Sequence, residues 1–137
     1  MTDLELMQAA VAAREKAYAP YSEFRVGAAL LTSDGRVYSG CNIENASYSP
    51  TNCAERTAFF KAVSEGERSF AAIAVVGGKN DSLSALCAPC GVCRQVMAEF
   101  CDGDFRVLLG TPEKYASYAL RELLPLSFSL SDEEGAQ

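Results

Sequence analysis

The sequence predicts an α/β fold in which one mixed sheet carries helices on both faces. Strand-like and helix-like segments alternate after an early hairpin, which is the order found in layered α/β proteins. Residues 70–76 form a continuous apolar run without alternation, as expected of a strand that is covered on both faces. Because 137 residues is the length of one domain, we expect a single domain spanning 1–137.

The first predicted element is an amphipathic helix over residues 3–17. Thr2 or Asp3 can cap its start, and Pro20 limits its end because proline disfavours helical backbone in the residue before it. The inward face is predicted from positions that recur at helical spacing: Leu4, Met7, Ala10, Val11 and Arg14.

Two strands and a helix are predicted next. The strands at 24–31 and 37–43 flank Asp34-Gly35, a dipeptide that is typical of hairpin turns. A helix over 51–65 follows, with apolar residues at helical spacing.

The rest of the chain continues the alternation. In order, the sequence predicts a strand at 70–76, a loop at 77–86, a helix at 90–101, a strand at 105–109 and a short helix at 118–124. In the helix at 90–101 the residues expected to face the core are Val92, Val96, Met97 and Phe100. The strands joined by helical crossovers should be parallel, and the acidic tail at 131–137 is expected to fray.

The composition excludes several classes of function. The net charge is −6 without any Lys/Arg cluster, whereas a nucleic-acid-binding protein needs a basic stripe to displace counterions from phosphates. The apolar runs are too short to span a bilayer and no export signal is visible, so we expect a cytoplasmic protein with six reduced cysteines. The chain has no histidine, which excludes Ser-His-Asp and Cys-His catalysis.

Two cysteine-containing segments can together form a metal site. Cys90 and Cys93 are three residues apart, so at the start of a helix their side chains lie on one side. Cys53 can complete a tripod from the other segment, and catalytic zinc keeps three protein ligands and leaves the fourth position to water. Glu55 can then carry protons between that water and a substrate.

The spacing by itself leaves other readings open. Cys-x-x-Cys also occurs in redox sites and in structural zinc sites. Cys87 extends the pair into the start of an iron–sulfur motif, but Met97 stands where the fourth cysteine belongs. Cys41 could be a fourth zinc ligand, whereas Cys101 lies about 16 Å along the helix from Cys90 and cannot reach.

Two further features concern the charge and geometry of such a site. Arg56 and Arg94 each follow a candidate ligand and can donate hydrogen bonds to sulfur, which would offset the negative charge of three thiolates. On an ideal helix the side chains of Cys53 and Glu55 point about 200° apart. They can converge only if Cys53 lies at the helix entry, outside regular helical geometry.

Motifs spread over most of the chain resemble those of the zinc-dependent cytidine deaminases, in their small homotetrameric form. The matching segments are Tyr18-Ala19-Pro20-Tyr21-Ser22, Phe24, Val26-Gly27-Ala28-Ala29-Leu30-Leu31, Asn42-Ile43-Glu44-Asn45-Ala46, Cys53-Ala54-Glu55-Arg56-Thr57, Pro89-Cys90-Gly91 with Cys93-Arg94-Gln95-Val96, and Leu123-Leu124-Pro125 with Phe128. The resemblance implies a three-layer α/β/α sandwich with a mixed five-stranded sheet. It also implies a small-molecule nucleoside as the substrate.

The resemblance implies hydrolytic deamination of cytidine and 2′-deoxycytidine to uridine and 2′-deoxyuridine plus ammonia, a reaction of pyrimidine salvage. One zinc ion per subunit would be held by Cys53, Cys90 and Cys93. Zinc-bound hydroxide would attack C4 of the base, with Glu55 as the proton shuttle and Arg56 supporting the thiolates.

The resemblance also implies which residues bind the nucleoside. Asn42 and Glu44 would hold the ribose 3′-hydroxyl, in keeping with an amide and a carboxylate two residues apart on one side of a strand. Phe24 and Ala54 would contact the nucleoside from the same subunit.

Two aromatic residues would reach the site from neighbouring subunits of a homotetramer: Tyr48, and Phe128, which would stack on the base. The chain departs from the family pattern at three places. Val92 stands where alanine is usual, Cys87 is an additional thiol, and Leu126-Ser127 replaces a glycine-containing turn before Phe128.

Two rival functions remain at the level of the sequence. An antibiotic deaminase of the blasticidin type shares the motifs, although residues 42–48 favour the nucleoside enzyme. Outside the family, a structural zinc or redox-thiol protein without a catalytic carboxylate would use the same cysteines. The acidic charge disfavours a polynucleotide deaminase, and Cys41, Cys87 and Cys101 are predicted to be inert core thiols.

Overall fold

A computed structural model describes residues 1–130, so the predicted tail at 131–137 lies outside the described residues. In chain order the elements are α1 (Asp3–Arg14), β1 (Phe24–Thr32), β2 (Val37–Cys41), α2 (Ala54–Ser64), β3 (Phe70–Lys79), α3 (Gly91–Phe100), β4 (Arg106–Thr111), β5 (Lys114–Ala119) and α4 (Leu120–Leu123). No helix among these residues is both long and apolar enough to cross a membrane.

The five strands form one mixed sheet in the order β2-β1-β3-β4-β5. β3 and β4 pair in parallel, while β1 pairs antiparallel with both β2 and β3. β2, β3 and β4 therefore run in the same direction, which confirms the parallel arrangement predicted for the strands that flank the two helical crossovers. The ends of β2 and β3 and the beginning of β1 consequently lie at the same edge of the sheet.

The sheet separates two apolar layers because successive side chains of a strand point to opposite faces. On one face, Leu6 and Met7 of α1 pack against residues such as Ala29 and Ala74. On the other face, α2, α3 and α4 cover the alternate positions, including Leu30 and Val75. The predicted α/β/α sandwich is thus confirmed.

Helix α1 begins as predicted and ends earlier than predicted. Thr2 caps it through a capping box with Glu5. The helix stops at Arg14 rather than at residue 17, because Tyr18 joins an extended pairing instead, donating its N–H to the carbonyl oxygen of Asn42. Leu4 is exposed, so its assignment to the inward face was wrong.

Strand β5 was not predicted from the sequence pattern, which assigned 118–124 to a helix. Only Leu120–Leu123 is helical, and Lys114–Ala119 pairs with β4 along its whole length. β5 is an edge strand with four exposed residues, so it lacks the apolar alternation by which a half-buried strand is found. Val92 on α3 was also placed wrongly in the core, since its side chain is 58% exposed.

Two glycines bring helices into direct contact with the sheet. A Cβ at Gly27 would collide with the carbonyl oxygen of Ala10 and lie 2.5 Å from the nitrogen of Arg14, both on α1. A Cβ at Gly40 would lie 2.5 Å from the carbonyl oxygen of Ala54 on α2. Backbone therefore packs on backbone at both faces, and the first turn of α2 is located directly by β2.

We predict that Gly27→Ala destabilises the protein by about 1–3 kcal/mol or more, because the new methyl group must displace the backbone of α1. This cost exceeds the gain of roughly 0.5–1 kcal/mol from replacing glycine inside a strand. Urea denaturation measures the difference.

Gly103→Ala is the matched control, since its new methyl group would meet only the side chain of Arg121. Equal denaturation midpoints for the two variants would contradict the close packing of α1 on β1.

Candidate metal centre and active site

Three cysteine thiols meet at the sheet edge where β2 and β3 end. Cys53 and Cys90 are the N-cap residues of α2 and α3, and both have extended backbone, with ψ of 157° and 169°. Cys93 lies one turn into α3 and is buried. The three Sγ atoms lie within 4.8 Å of one another.

The distances fit a zinc ion. Tetrahedral zinc with Zn–S bonds of about 2.3 Å separates its sulfur ligands by about 3.8 Å. The Sγ atoms of Cys53 and Cys90 are 3.8 Å apart. Among residues 1–130, the cluster of candidate ligands holds these three cysteines and no fourth thiol or carboxylate, which leaves one position of a tetrahedron for a non-protein ligand.

The rival fourth ligands lie elsewhere. Cys41 lines a separate small cavity beside Lys16 and Lys61. Cys101 is at the far end of α3, away from the other thiols. Met97, at the position of the fourth cysteine of an iron–sulfur motif, is fully buried in the core. All six cysteines are free thiols.

The N-cap position of Cys53 resolves the conflict between Cys53 and Glu55 on an ideal helix. Because the backbone of Cys53 is extended, its side chain does not follow the helical rotation that begins at Ala54. Cys53 and Glu55 consequently line the same cavity, together with Cys90. The convergence that the sequence left open is thus achieved by the helix entry.

Arg56 supports the sulfur cluster, whereas Arg94 does not. Arg56 Nη2 donates to the Sγ of Cys53 at 3.2 Å, and this hydrogen bond raises the pKa of Arg56. Its Nε is buried and has no hydrogen-bond partner among the described residues. Arg94 instead donates to the carbonyl oxygens of Pro89 and Leu123, so it fixes backbone rather than sulfur.

Hydrogen bonds within the cluster favour ionisation of Cys53 over that of Cys93. A hydrogen bond from Cys93, followed in strength by that from Arg56, lowers the pKa of Cys53 to about 5. The same contact with Cys53 raises the pKa of Cys93. Sulfur binds a metal as the thiolate, so a lowered pKa favours Cys53 as a ligand.

Glu55 is the one buried carboxylate among residues 1–130. It is 4% exposed, and burial raises its pKa to about 7. A carboxyl group with that pKa can both donate and accept a proton near neutral pH, which is the property of an efficient general acid and base. Its place beside three thiols makes it suited to proton transfer at this site.

The cavity beside the thiols has a volume of about 180 Å³. Of the residues proposed from the sequence, it is lined by Asn42, Glu44, Cys53, Ala54, Glu55 and Cys90. Its wall also contains Val26, Thr51, Asn52, Cys87 and Ala88, none of which had been given a role. Val26 belongs to the family-like segment, and its place in that segment is the signal that could have identified it.

Cys87 packs against the core, as predicted, but it also lies at the cavity. It lines the cavity, and burial raises its pKa to about 11. A Cβ at Gly77 would lie 2.6 Å from its Sγ, so Gly77 leaves the room that Cys87 fills. Phe24 borders the same spot, since its Cε1 would lie 3.1 Å from that Cβ, but it is not among the residues that line the cavity.

Asn42 and Glu44 face the same cavity although β2 already ends at Cys41. The amide of Asn42 accepts from the N–H of Val26 at 2.8 Å and donates to the carbonyl oxygen of Phe24 at 2.9 Å. The carboxylate of Glu44 accepts hydrogen bonds from the segment before β1. The two side chains are thus fixed by the start of β1 and by the segment that precedes it.

Tyr48 and Phe128 do not reach this cavity within one chain. Tyr48 is 76% exposed and lines a neighbouring cavity of about 380 Å³, which shares Glu44 and Thr51 with the first. Phe128 is 65% exposed, and its carbonyl oxygen accepts a hydrogen bond from Gln95 at 3.1 Å.

Comparison with known proteins agrees with this geometry. Residues 1–109 match the family model described as the cytidine and deoxycytidylate deaminase zinc-binding region. A cytidine deaminase of Sporosarcina psychrophila is 57% identical over 121 residues, 88% of this chain and 86% of that protein. A blasticidin-S deaminase of Bacillus cereus is 32% identical over 133 residues, 93% of this chain and 92% of that protein.

The fold is likewise similar to a solved structure. The crystal structure of cytidine deaminase from Burkholderia pseudomallei has a TM-score of 0.86 and 53% sequence identity to this chain. The match covers 93% of this chain and all of that one (100%). The five-stranded sheet and its helices are therefore found in a protein of closely similar sequence.

We predict that Arg56→Gln weakens zinc binding about 10- to 100-fold, because it removes the hydrogen bond to Cys53 and a positive charge beside the sulfurs. Competition with a chromophoric chelator measures the affinity. Arg68→Gln, which removes an exposed arginine bonded to backbone beyond α2, is the control and should leave the affinity unchanged. Unchanged affinity in Arg56→Gln would show that sulfur charge is compensated elsewhere.

We further predict that Glu55→Gln stabilises the zinc-free protein at alkaline pH. The folded state binds the Glu55 proton more tightly than the unfolded state, so wild-type stability falls as pH rises from 4.5 to about 7. The loss at pH 8 is at most about 3 kcal/mol, and glutamine removes it.

Urea denaturation of chelator-treated, reduced protein between pH 5 and pH 8 measures this difference. The gain should be small at pH 5 and largest at pH 8. Glu99→Gln, at an exposed position of α3, should show no such trend, and a pH-independent gain in Glu55→Gln would contradict the raised pKa.

Proposed function

This chain belongs to the family of the cytidine and deoxycytidylate deaminase zinc-binding region, and from that membership we propose that it is a zinc-dependent hydrolase that deaminates cytidine and 2′-deoxycytidine. The products would be uridine or 2′-deoxyuridine and ammonia, as in pyrimidine salvage. The observation that carries the proposal is the buried carboxyl group of Glu55, with its pKa of about 7, in one cavity with two of the three clustered thiols.

We propose that Cys53, Cys90 and Cys93 hold the zinc ion. When bound there, the ion would supply a Lewis acid that activates water for attack on the base. Arg56 would keep Cys53 ionised through its hydrogen bond to that sulfur. The extended N-cap backbone of Cys53 and Cys90 supports this set, since it brings ligands from two helices together.

Glu55 would move the protons of the reaction. Its carboxylate would take a proton from water and deliver it to N3 of the cytosine ring. It would then take the proton of the hydroxyl group added at C4 and pass it to the departing amine. Burial supports these alternating roles, because a pKa of about 7 makes both protonation states accessible at neutral pH. The same burial excludes bulk water from the carboxyl group.

The sugar and the base would be held by the remaining cavity residues. Asn42 and Glu44 would bind the ribose 3′-hydroxyl, which is supported by their place on one cavity wall. Ala54 would contact the nucleoside in the same cavity. Phe24 would also pack against the nucleoside, and its ring lies near Gly77, beside the cavity residue Cys87.

We propose that a homotetramer completes the site. Tyr48 and Phe128 lie outside the cavity of their own chain and are exposed, as expected of residues that serve a neighbouring subunit. Leu126 and Leu130, which flank Phe128, are 99% and 81% exposed, and such an apolar surface is suited to burial between chains. A cytoplasmic location agrees with the free state of all six cysteines.

The rival functions are less well supported. The identity to the blasticidin-S deaminase is 32%, against 57% to the cytidine deaminase of Sporosarcina psychrophila. A structural zinc site would call for a fourth sulfur, and the described residues place none in the cluster. A structural zinc or redox-thiol protein would also not explain a cavity that joins the thiols to a buried carboxyl group.

We predict that zinc-loaded protein converts cytidine to uridine, measured by ultraviolet absorbance, and that Glu55→Gln lowers turnover by about 10²–10⁴-fold while zinc content is retained. Chelation of zinc should abolish the wild-type activity. Glu99→Gln makes the same carboxylate-to-amide change on the exposed face of α3 and should keep wild-type turnover. Cytidine turnover that survives Glu55→Gln would exclude the assigned mechanism.

A further inference from the structure

The segment from Tyr18 to Glu23 is a part of the family-like sequence to which no role has been assigned. It is an irregular lead-in to β1 that pairs with residues 42–44. The N–H of Tyr18 donates to the carbonyl oxygen of Asn42 at 2.9 Å, and the N–H of Glu44 donates to the carbonyl oxygen of Tyr18 at 2.8 Å. The two segments that meet the cavity at Glu44 are thus fixed to each other through backbone.

Within this lead-in, the turn at Ser22 binds both carboxylate oxygens of Glu44. The N–H groups of Tyr21 and Ser22 donate to Oε1 at 2.9 Å and 3.2 Å, and the Ser22 hydroxyl donates to Oε2. These contacts, that of the Ser22 hydroxyl first, lower the pKa of Glu44. Glu44 is therefore held as a carboxylate in one orientation.

The direction of the Ser22 hydroxyl is itself determined. Its oxygen accepts a hydrogen bond from the N–H of Phe24 at 3.0 Å, so its single proton is free to point at Glu44. The turn is closed by Glu23, whose φ is +60° and whose N–H donates to the carbonyl oxygen of Ala19 at 3.0 Å. A left-handed backbone at a residue other than glycine persists only where its surroundings impose it.

The hydrogen-bond count leaves one acceptor position for a ligand. A carboxylate oxygen has two lone pairs. Oε1 of Glu44 uses both on the two N–H groups, while Oε2 uses one on the Ser22 hydroxyl. The remaining lone pair of Oε2 is the one that a hydroxyl group of a ligand in the cavity can meet.

We propose that Ser22 is a positioning residue that aims Oε2 of Glu44 at the ribose 3′-hydroxyl, and thereby sets the discrimination between nucleosides with and without that hydroxyl. The inference rests on the proposed function, because it assumes a nucleoside in this cavity. Ser22 acts only through Glu44 and does not touch the reacting base. Its removal should therefore affect binding of the sugar and leave the chemical step nearly unchanged.

The test compares cytidine with 3′-deoxycytidine, which lacks only the hydroxyl in question. Ser22→Ala should raise KM for cytidine about tenfold with kcat within about threefold of wild type, since one hydrogen bond to a charged group is lost. Its kcat/KM for 3′-deoxycytidine should stay within about twofold of wild type. Ser22→Thr, which keeps the hydroxyl group, should restore the KM for cytidine.

A double-mutant cycle separates positioning from general damage. In a Glu44→Ala background, Ser22→Ala should change kcat/KM for cytidine by less than about twofold, because the group that it positions is already absent. Ser33→Ala removes an exposed hydroxyl beyond the opposite end of β1 and is the matched control. Should Ser22→Ala fail to accumulate as folded protein, Ser22→Cys removes the strong donor in a similar volume and carries the same expectation.

Two results would overturn the role of Ser22: equal losses on both nucleosides, or a KM for cytidine within about twofold of wild type. Either result, with active wild-type protein, would contradict this inference alone. Absence of cytidine turnover by zinc-loaded wild type would contradict the proposed function and this inference with it.

Discussion

The site depends on the meeting of two helix entries at one edge of the sheet. β2 and β3 run in the same direction, so the chain leaves both strands at that edge and enters α2 and α3 there. The N-cap residues of both helices are cysteines with extended backbone, and this places their sulfurs 3.8 Å apart. If either helix began one residue later, the third thiol and the carboxyl group beside it would no longer share the site.

Crowding acidic groups in this way is costly, and the structure offsets the cost by different means for each group. The helix N-termini carry partial positive charge toward the sulfurs, and Arg56 adds a full charge at 3.2 Å from Cys53. For Glu55, burial outweighs a backbone hydrogen bond and the charge of Arg56, and it raises the pKa of the carboxyl group to about 7. The pocket therefore contains both an ionised sulfur and a carboxyl group that can still exchange its proton.

Features with a local cause could be predicted from the sequence, whereas several features with a tertiary cause could not. The buried strand at 70–76 and the thiol spacing of Cys90 and Cys93 are local patterns, and both were found. The edge strand β5 exposes most of its residues and is defined by its pairing with β4, so no pattern in its own sequence reveals it. The hydrogen bond from Ser22 to Glu44 forms only because the lead-in to β1 meets the segment after β2, and the spacing of the two residues in the sequence does not predict it.

The contact at Gly40 affects how the enzyme would respond to substitutions that change side-chain volume. At Gly40 the backbone of β2 directly contacts the first turn of α2, which bears Glu55, so no side-chain rotamer there could absorb a shift of the sheet. Volume changes elsewhere in the layer beneath α2 would therefore be transmitted as a displacement of the reacting groups.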